Sequence, residues 1–230
     1  MFKLNLQFFG GGTRSGLGGG LRLGARRIKA VPITDSVDEW ESGSRMTSPS
    51  IEYAAVFDKN GNPIGAYQGD SNSVGLPLSV RDVEGGILTH NHPGMEMGGT
   101  FSSADVNLMA KSKLSQIRAV ETNKNGKGSK TTYILRATPN ANREKLASFV
   151  KGKAAMMQRN FDKSYVAALN RAKAGKVAGV NPNSKTQIAT YARQYALGKM
   201  NNYWKKNVGK FGFEYVVKKS TGSSGYSSKK

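Results

Sequence analysis

LTHNHPGMEMGGTFSSAD, residues 88–105, holds the only two histidines of the 230-residue chain, His90 and His92, with Pro93 directly behind them. Ser102 and Asp105 close the stretch in the spacing S-x-x-D. Two imidazoles and one carboxylate are a preferred ligand set for zinc, and they leave a fourth position for water. If His90 and His92 end a strand, both lie near its C-terminal mouth. Asp105, one turn into a following helix, can then swing back to complete a triangle.

The flanking sequence supports that placement. GGILTH reads as a short buried strand running straight into the histidines, and residues 103–113 carry Val106, Leu108, Met109 and Ala110 in a short helix. Upstream, IEYAAVF and PIGAYQG read as two strands joined by a turn at Asn60-Gly61, a strong hairpin signal. Downstream, SQIRAVET and KTTYILRA read as a second strand pair with residues 124–129 as their loop. Residues 71–75 read as loop, and 76–83 as either strand or short helix. The expected architecture is an α/β domain over residues 51–137.

Around this centre the composition changes. Residues 1–30 combine an alternating start (Phe2, Leu4, Leu6, Phe8) with a Gly- and Arg-rich run, and read as a flexible leader. Residues 31–50, polar and punctuated by Pro32 and Pro49, read as a linker in which Trp40 has no assigned partner. From residue 138 to 217 apolar residues recur at helical spacing, Leu146 to Leu169 and Ile188 to Tyr203, giving two basic amphipathic helices. Residues 218–230 read as a disordered Lys/Ser tail.

The net charge of +20 is unevenly placed. Residues 141–230 hold 19 basic against 3 acidic side chains, whereas residues 51–136 hold 9 against 8. A polycationic segment of this kind favours a polyanion, so residues 141–230 are expected to contact nucleic acid without base-specific readout, with Tyr203 and Trp204 free to stack on bases. The alternative is a solvated basic helix pair whose aromatics pack on the central domain. No cysteine is present, so thiolate ligands and disulfides are excluded. The start MFKLNLQFFGGG has no continuous apolar core for a signal peptide, and no stretch approaches the length of a membrane span. The expectation is a protein of the host-cell cytoplasm or one associated with a virion.

H-x-H-P, followed by S-x-x-D and preceded by a strand-borne glutamate, resembles the JAMM (MPN+) zinc metallopeptidases, in particular their RadC-like branch with its HNHP form. The resemblance spans residues 51–137 and implies a JAMM-like (cytidine-deaminase-like) mixed β-sheet flanked by helices, here followed by a basic α-helical region. It makes His90, His92 and Asp105 the ligands of Zn2+, Glu52 the general base that takes a proton from the activated water, and Ser102 a donor to the developing oxyanion. Glu84, beside Gly85-Gly86, is the rival base. Nine residues separate His92 from Ser102, more than is usual in the family, and the added length brings in Glu96. Ser102 and Asp105 also suit a helix N-cap. His90-Asn91-His92 is not an HNH nuclease, whose three residues are dispersed over a hairpin and a helix.

The opening LNLQFFGG resembles leaders of head-region and cargo-like proteins from phages and integrated elements of Gram-positive bacteria. The implied activity is hydrolysis of an amide or isopeptide bond in a protein or ubiquitin-like conjugate. The rival is a non-catalytic, nucleic-acid-associated or virion structural protein on a RadC-like fold.

Overall fold

The computed structural model of the chain describes residues 4–7, 29–48, 50–70, 73–79, 81–92, 100–122 and 130–220. In chain order its elements are strands β1 (Leu4–Gln7) and β2 (Lys29–Val31), helix α1 (Val37–Ser42), strands β3 (Tyr53–Phe57), β4 (Pro63–Gln68), β5 (Ser73–Leu76) and β6 (Ile87–Asn91), helix α2 (Ser103–Lys111), strands β7 (Gln116–Thr122) and β8 (Lys130–Ala137), helices α3 (Arg143–Lys173) and α4 (Lys185–Asn207), and strand β9 (Phe213–Ser220). Seven strands form one mixed sheet in the order β2-β4-β3-β6-β7-β8-β9, and only β6 and β7 are parallel. The α/β class expected from the sequence is what the fold has.

Local chemistry explains the first hairpin. The Asp58 carboxylate accepts from the backbone N–H of Asn60 at 2.8 Å and of Asn62 at 2.9 Å, and Gly61 takes the left-handed conformation (φ +88°) that closes the turn. A parallel neighbour needs a crossover, and α2 supplies it between β6 and β7.

Because strand side chains alternate, the sheet has two faces with different covers. Ala54, Val56, Leu88, Ile117, Ala119 and Leu135 point into the main core, which is completed by Val106 and Met109 of α2, by Leu146, Val150 and Met157 of α3, and by Met200 and Trp204 of α4. Ala55, Phe57, Ala66 and Val120 point the other way, onto Val37, Trp40 and Met46.

That second cover corrects the expectation of a linker over residues 31–50. Ser36 and Glu39 form a reciprocal capping box that starts α1, and Trp40 is then buried against the sheet. Glu41 is buried as well, ion-paired with Arg118 (Nε–Oε1 2.7 Å) and accepting the Thr89 hydroxyl proton at 2.9 Å. Thr89 and Arg118 are register partners on β6 and β7, so α1 is fastened to the back of the site-bearing strands.

Three further expectations change. Residues 73–75, read as loop, join Leu76 in β5 paired antiparallel with β1, and the strand-like alternation at the start of the expected flexible leader is the strand Leu4–Gln7. For the basic region the packing alternative describes α3 and α4, which bury apolar residues in the main core, and residues 213–220 form the edge strand β9 against β8. The tail therefore contributes residues 218–220 to the sheet. Trp204 is fully buried, and its indole N–H donates to the carbonyl of Phe101 at 2.8 Å, so it is not available to stack on a base. The Gly/Arg run within residues 8–28, the loop 124–129, Glu96 and residues 221–230 lie outside the described residues. Among the described residues no helix is long and apolar enough to cross a membrane.

Candidate metal centre

β6 carries His90 on the helix-covered face, where its register partners are Ala54 of β3 and Ala119 of β7. Two small neighbours leave room for an imidazole in an otherwise packed layer. His92 follows just beyond the strand, two residues on and therefore in line with the same face. α2 begins above them. Ser102 is its N-cap, accepting from the Asp105 N–H at 3.1 Å, while the Asp105 carboxylate accepts from the Ser102 N–H at 2.7 Å through Oδ2. The capping box thus aims Asp105 down at the strand and leaves Oδ1 without a hydrogen-bond partner.

The three side chains meet. His90 Nε2 and His92 Nε2 are 2.9 Å apart, His90 Nε2 is 3.6 Å from Asp105 Oδ1, and His92 Nε2 is 3.8 Å from Asp105 Oδ2. All three residues are buried, and their ligand atoms lie within 4.8 Å of one another, a group that could hold a metal ion. Donor atoms held tetrahedrally at about 2.0–2.1 Å from an ion are about 3.3–3.4 Å apart, and the observed edges bracket that value.

The electrostatics fit a cation better than they fit an empty cluster. Burial pushes the His90 imidazolium down to about 3 and, with the His90 ring and the Arg193 cation adding to it, holds His92 well below the usual range. Both rings are therefore neutral and present lone pairs at ordinary pH. Burial pushes Asp105 up to about 7 against the opposing hydrogen bonds from Ser102. A buried carboxylate, uncharged imidazoles and an unpartnered oxygen together make a site whose missing charge is positive. The backbone of Arg118 works to raise His90, but that contact falls short of hydrogen-bond geometry, since His90 Nδ1 has no partner.

Glu52 stands immediately before β3, almost fully buried. Its backbone pairs with Asp70 and Gly69 at 2.8 Å each, extending the β3–β4 ladder, and its Oε2 has no hydrogen-bond partner. Burial, then the neighbouring Asp105 and Asp70 carboxylates, raise its pKa well above the usual range. It shares the field of the triangle without belonging to the ligand set. Glu84 does not: it is exposed and paired with Lys113 at 3.0 Å. The structure brings His90, His92, Asp105, Ser102 and Glu52 to one side of the sheet and leaves Glu84 outside.

Two neighbours were not foreseen from sequence. Arg193 of α4 contributes to the field at His92, so the second basic helix stands over the site instead of apart from it. Asn91, between the histidines, faces the opposite way and binds the backbone on both sides of Glu52. An isolated arginine on a basic helix gives no signal of this kind, whereas an asparagine flanked by two site residues does. Comparison with protein-family profiles, with curated proteins and with solved structures returned no match to this chain.

Proposed function

We propose that the protein is a JAMM-type, zinc-dependent peptidase or isopeptidase acting on a protein or ubiquitin-like conjugate in a phage or mobile-element setting. The observation that carries this reading is the buried His90–His92–Asp105 triangle with Glu52 in its field. The donor set, two nitrogens and one carboxylate oxygen with no thiolate, suits zinc with a fourth position open. A zinc ion held by His90, His92 and Asp105 would supply Lewis acidity and would lower the pKa of an attacking water to about 7.

The remaining steps belong to the chain's own residues. Glu52 takes a proton from the attacking water at its unpartnered Oε2 and delivers it to the leaving amine nitrogen as the C–N bond breaks. Its raised pKa places it nearer the working range of a base that must also give the proton back. The Ser102 oxygen is occupied as acceptor of the Asp105 N–H, but its hydroxyl proton remains available to the oxygen on which negative charge develops. Capping and catalysis therefore use different ends of the same hydroxyl.

The test separates metal binding from chemistry. Glu52→Gln is expected to keep wild-type zinc content and to lose about 10²–10⁴-fold in turnover on peptide and isopeptide-linked substrates. A zinc-loaded wild type that cleaves neither class, or a Glu52→Gln variant as fast as wild type, overturns the reading.

A second reading, polyanion contact, is favoured by a different observation. Between Phe161 of α3 and Met200 of α4 the two long helices leave the main core, and Lys163, Arg171, Lys173, Lys176 and Lys185 there, with Arg159 just before, are all exposed. Asp162 is the only acidic residue between positions 159 and 185. This outer half of the hairpin is the surface on which nucleic acid would lie. Replacing Arg171, Lys173 and Lys176 by Gln is expected to weaken duplex DNA binding and to reduce the slope of log K against log salt by about 0.9 for each phosphate that the variant no longer neutralises. An unchanged slope, or no DNA binding by the wild type, removes this reading.

A further inference from the structure

Asn91 is almost fully buried, yet its side chain turns away from the metal triangle and towards the segment that leads into β3. Its Oδ1 accepts from the N–H of Tyr53 at 2.6 Å, and its Nδ2 donates to the carbonyl of Ile51 at 3.1 Å, with a longer contact to the carbonyl of Ser48 at 3.5 Å. Tyr53 and Ile51 are the residues on either side of Glu52. A single side-chain amide therefore grips the backbone before and after the carboxylate.

The register explains why such a grip is needed. β3 and β6 pair antiparallel with Ala54 opposite His90 and Ala55 opposite Thr89, and the last ladder pair is Ala54–His90. Tyr53 and Ile51 point their peptide groups towards β6, while Glu52 points its own towards Asp70 and Gly69 on the β4 side. Had the ladder continued, the donor to the Ile51 carbonyl would come from residue 93. That residue is proline, which has no N–H to give. Without the asparagine amide, the Tyr53 N–H and the Ile51 carbonyl of this part-buried segment would lose their partners on the β6 side.

We propose that Asn91 is a positioning residue: its side-chain amide holds the backbone on both sides of Glu52, giving the Ile51 carbonyl the donor that a proline at position 93 lacks, and so locks Glu52 beside the His90–His92–Asp105 triangle. The inference rests on the reading of Glu52 as general base. It gives the asparagine and the proline of His90-Asn91-His92-Pro93 a joint role. Asparagine supplies through its side chain a donor that the next ladder position, a proline in the sequence, lacks. The coupling is mechanical, because residues 90 and 92 face the site and residue 91 faces the segment carrying the base.

The test uses Co2+ as a spectroscopic probe of the full-length protein, without a substrate. Wild type, Glu52→Gln, Asn91→Ala, Asn91→Gln and the double variant Asn91→Ala/Glu52→Gln are loaded with Co2+, and the pH midpoint of the visible bands is recorded for each. Glu52→Gln is expected to move the midpoint by roughly one pH unit, the loss of one nearby charged hydrogen-bonding group. Asn91→Ala moves it in the same direction with Co2+ stoichiometry unchanged, and the double variant matches Glu52→Gln alone. Asn91→Gln keeps the amide but displaces it by one methylene. It is expected to behave as Asn91→Ala, and it carries the test if the alanine variant does not fold. A wild-type midpoint in both Asn91 variants beside a shifted Glu52→Gln overturns the proposal, as does a double variant in which the two shifts add. Failure of the wild type to bind Co2+, or a Glu52→Gln variant with the wild-type midpoint, instead defeats the assignment of the site on which the proposal rests.

Discussion

His90→Ala is expected to abolish stoichiometric zinc in the purified protein, which the proposed site sets at about one ion per chain in the wild type. His90 is the centre of the triangle, within 2.9 Å of His92 Nε2 and 3.6 Å of Asp105 Oδ1, and no other described group stands in reserve for it. Losing an outer hydrogen-bond partner of a ligand typically costs 10–100-fold in affinity. Losing the ligand itself is expected to cost more than about a hundredfold, read by metal analysis after dialysis against a weak chelator. The pH dependence has a definite sign. In most histidine sites zinc displaces protons from imidazolium, but here burial has already emptied the His90 ring of its second proton, with a pKa of about 3. The proton that zinc displaces near neutrality comes from Asp105, whose pKa is raised to about 7. Affinity therefore rises about tenfold per pH unit up to about 7 and flattens above it.

In the metal-free protein Asp105 acts oppositely to the two histidines, whose lowered pKa values make their contribution grow as pH rises towards 6.5. Asp105 binds a proton more tightly folded than unfolded, so its contribution to stability is present below the ordinary carboxyl value of 3.8 and is lost as pH rises towards about 7. The slope approaches about 1.4 kcal/mol per pH unit in that window. Zinc should abolish it, because the ion stabilises the carboxylate that burial penalises. Urea midpoints measured from pH 4 to 8 with and without zinc check both halves. Because the buried neutral histidines act in the opposite sense, the Asp105 part is read as the stability difference between wild type and Asp105→Asn in the metal-free state, and a difference that does not fall as pH rises from 4 to 7 contradicts the assignment.

Trp204→Ala is the second large effect, a loss of about 3–5 kcal/mol. The indole is fully buried in the main core and its N–H is satisfied by the Phe101 carbonyl, immediately before Ser102. The substitution leaves a cavity and an unsatisfied carbonyl at the start of α2, so zinc affinity should fall with stability. Chemical denaturation gives the first quantity and metal titration the second. A variant with wild-type stability would mean that α4 is dispensable to the core. For the same reason, deleting residues 141–230 does not isolate a nucleic-acid arm from an intact domain: it removes Leu146, Val150, Met200, Trp204 and β9 from the fold.

How much of this could be read from sequence differs by element. The hairpin at Asn60-Gly61, the strand into His90, the capped helix behind Ser102 and the two long helices were legible because each is specified locally, by turn chemistry or by periodicity. So was the convergence of His90, His92 and Asp105, which needs only a strand, a loop and one turn of helix. What escaped depends on contacts distant in sequence. β5 exists because β1 pairs with it from far along the chain, as Leu4 with Leu76. β9 joins β8 across two helices, although Phe213, Tyr215, Val216 and Val217 carry the aromatic and β-branched residues that suit a strand. α1 was hidden by its polarity. Its Ser36-x-x-Glu39 cap was present in the letters, but the docking of Glu41 on Arg118 was not. The amphipathic pattern of α3 and α4 showed that they bury a face, without showing that the face belongs to the core beneath the site.

The order of the strands has a consequence for synthesis. The residues that define the centre are all made by Asp105, but the wall closing over them comes from α3, α4 and β9, whose first residue is Phe213. At about 5–20 residues per second, roughly 5–20 s pass between the two events on the ribosome. During that interval the nascent sheet lacks its helical cover, so water reaches Asp105 and Glu52 and their acidities stay ordinary. The carboxylate that later resists ionisation is then charged and open to a cation. An ion taken up by the proposed site would therefore enter most readily while the polypeptide is still growing.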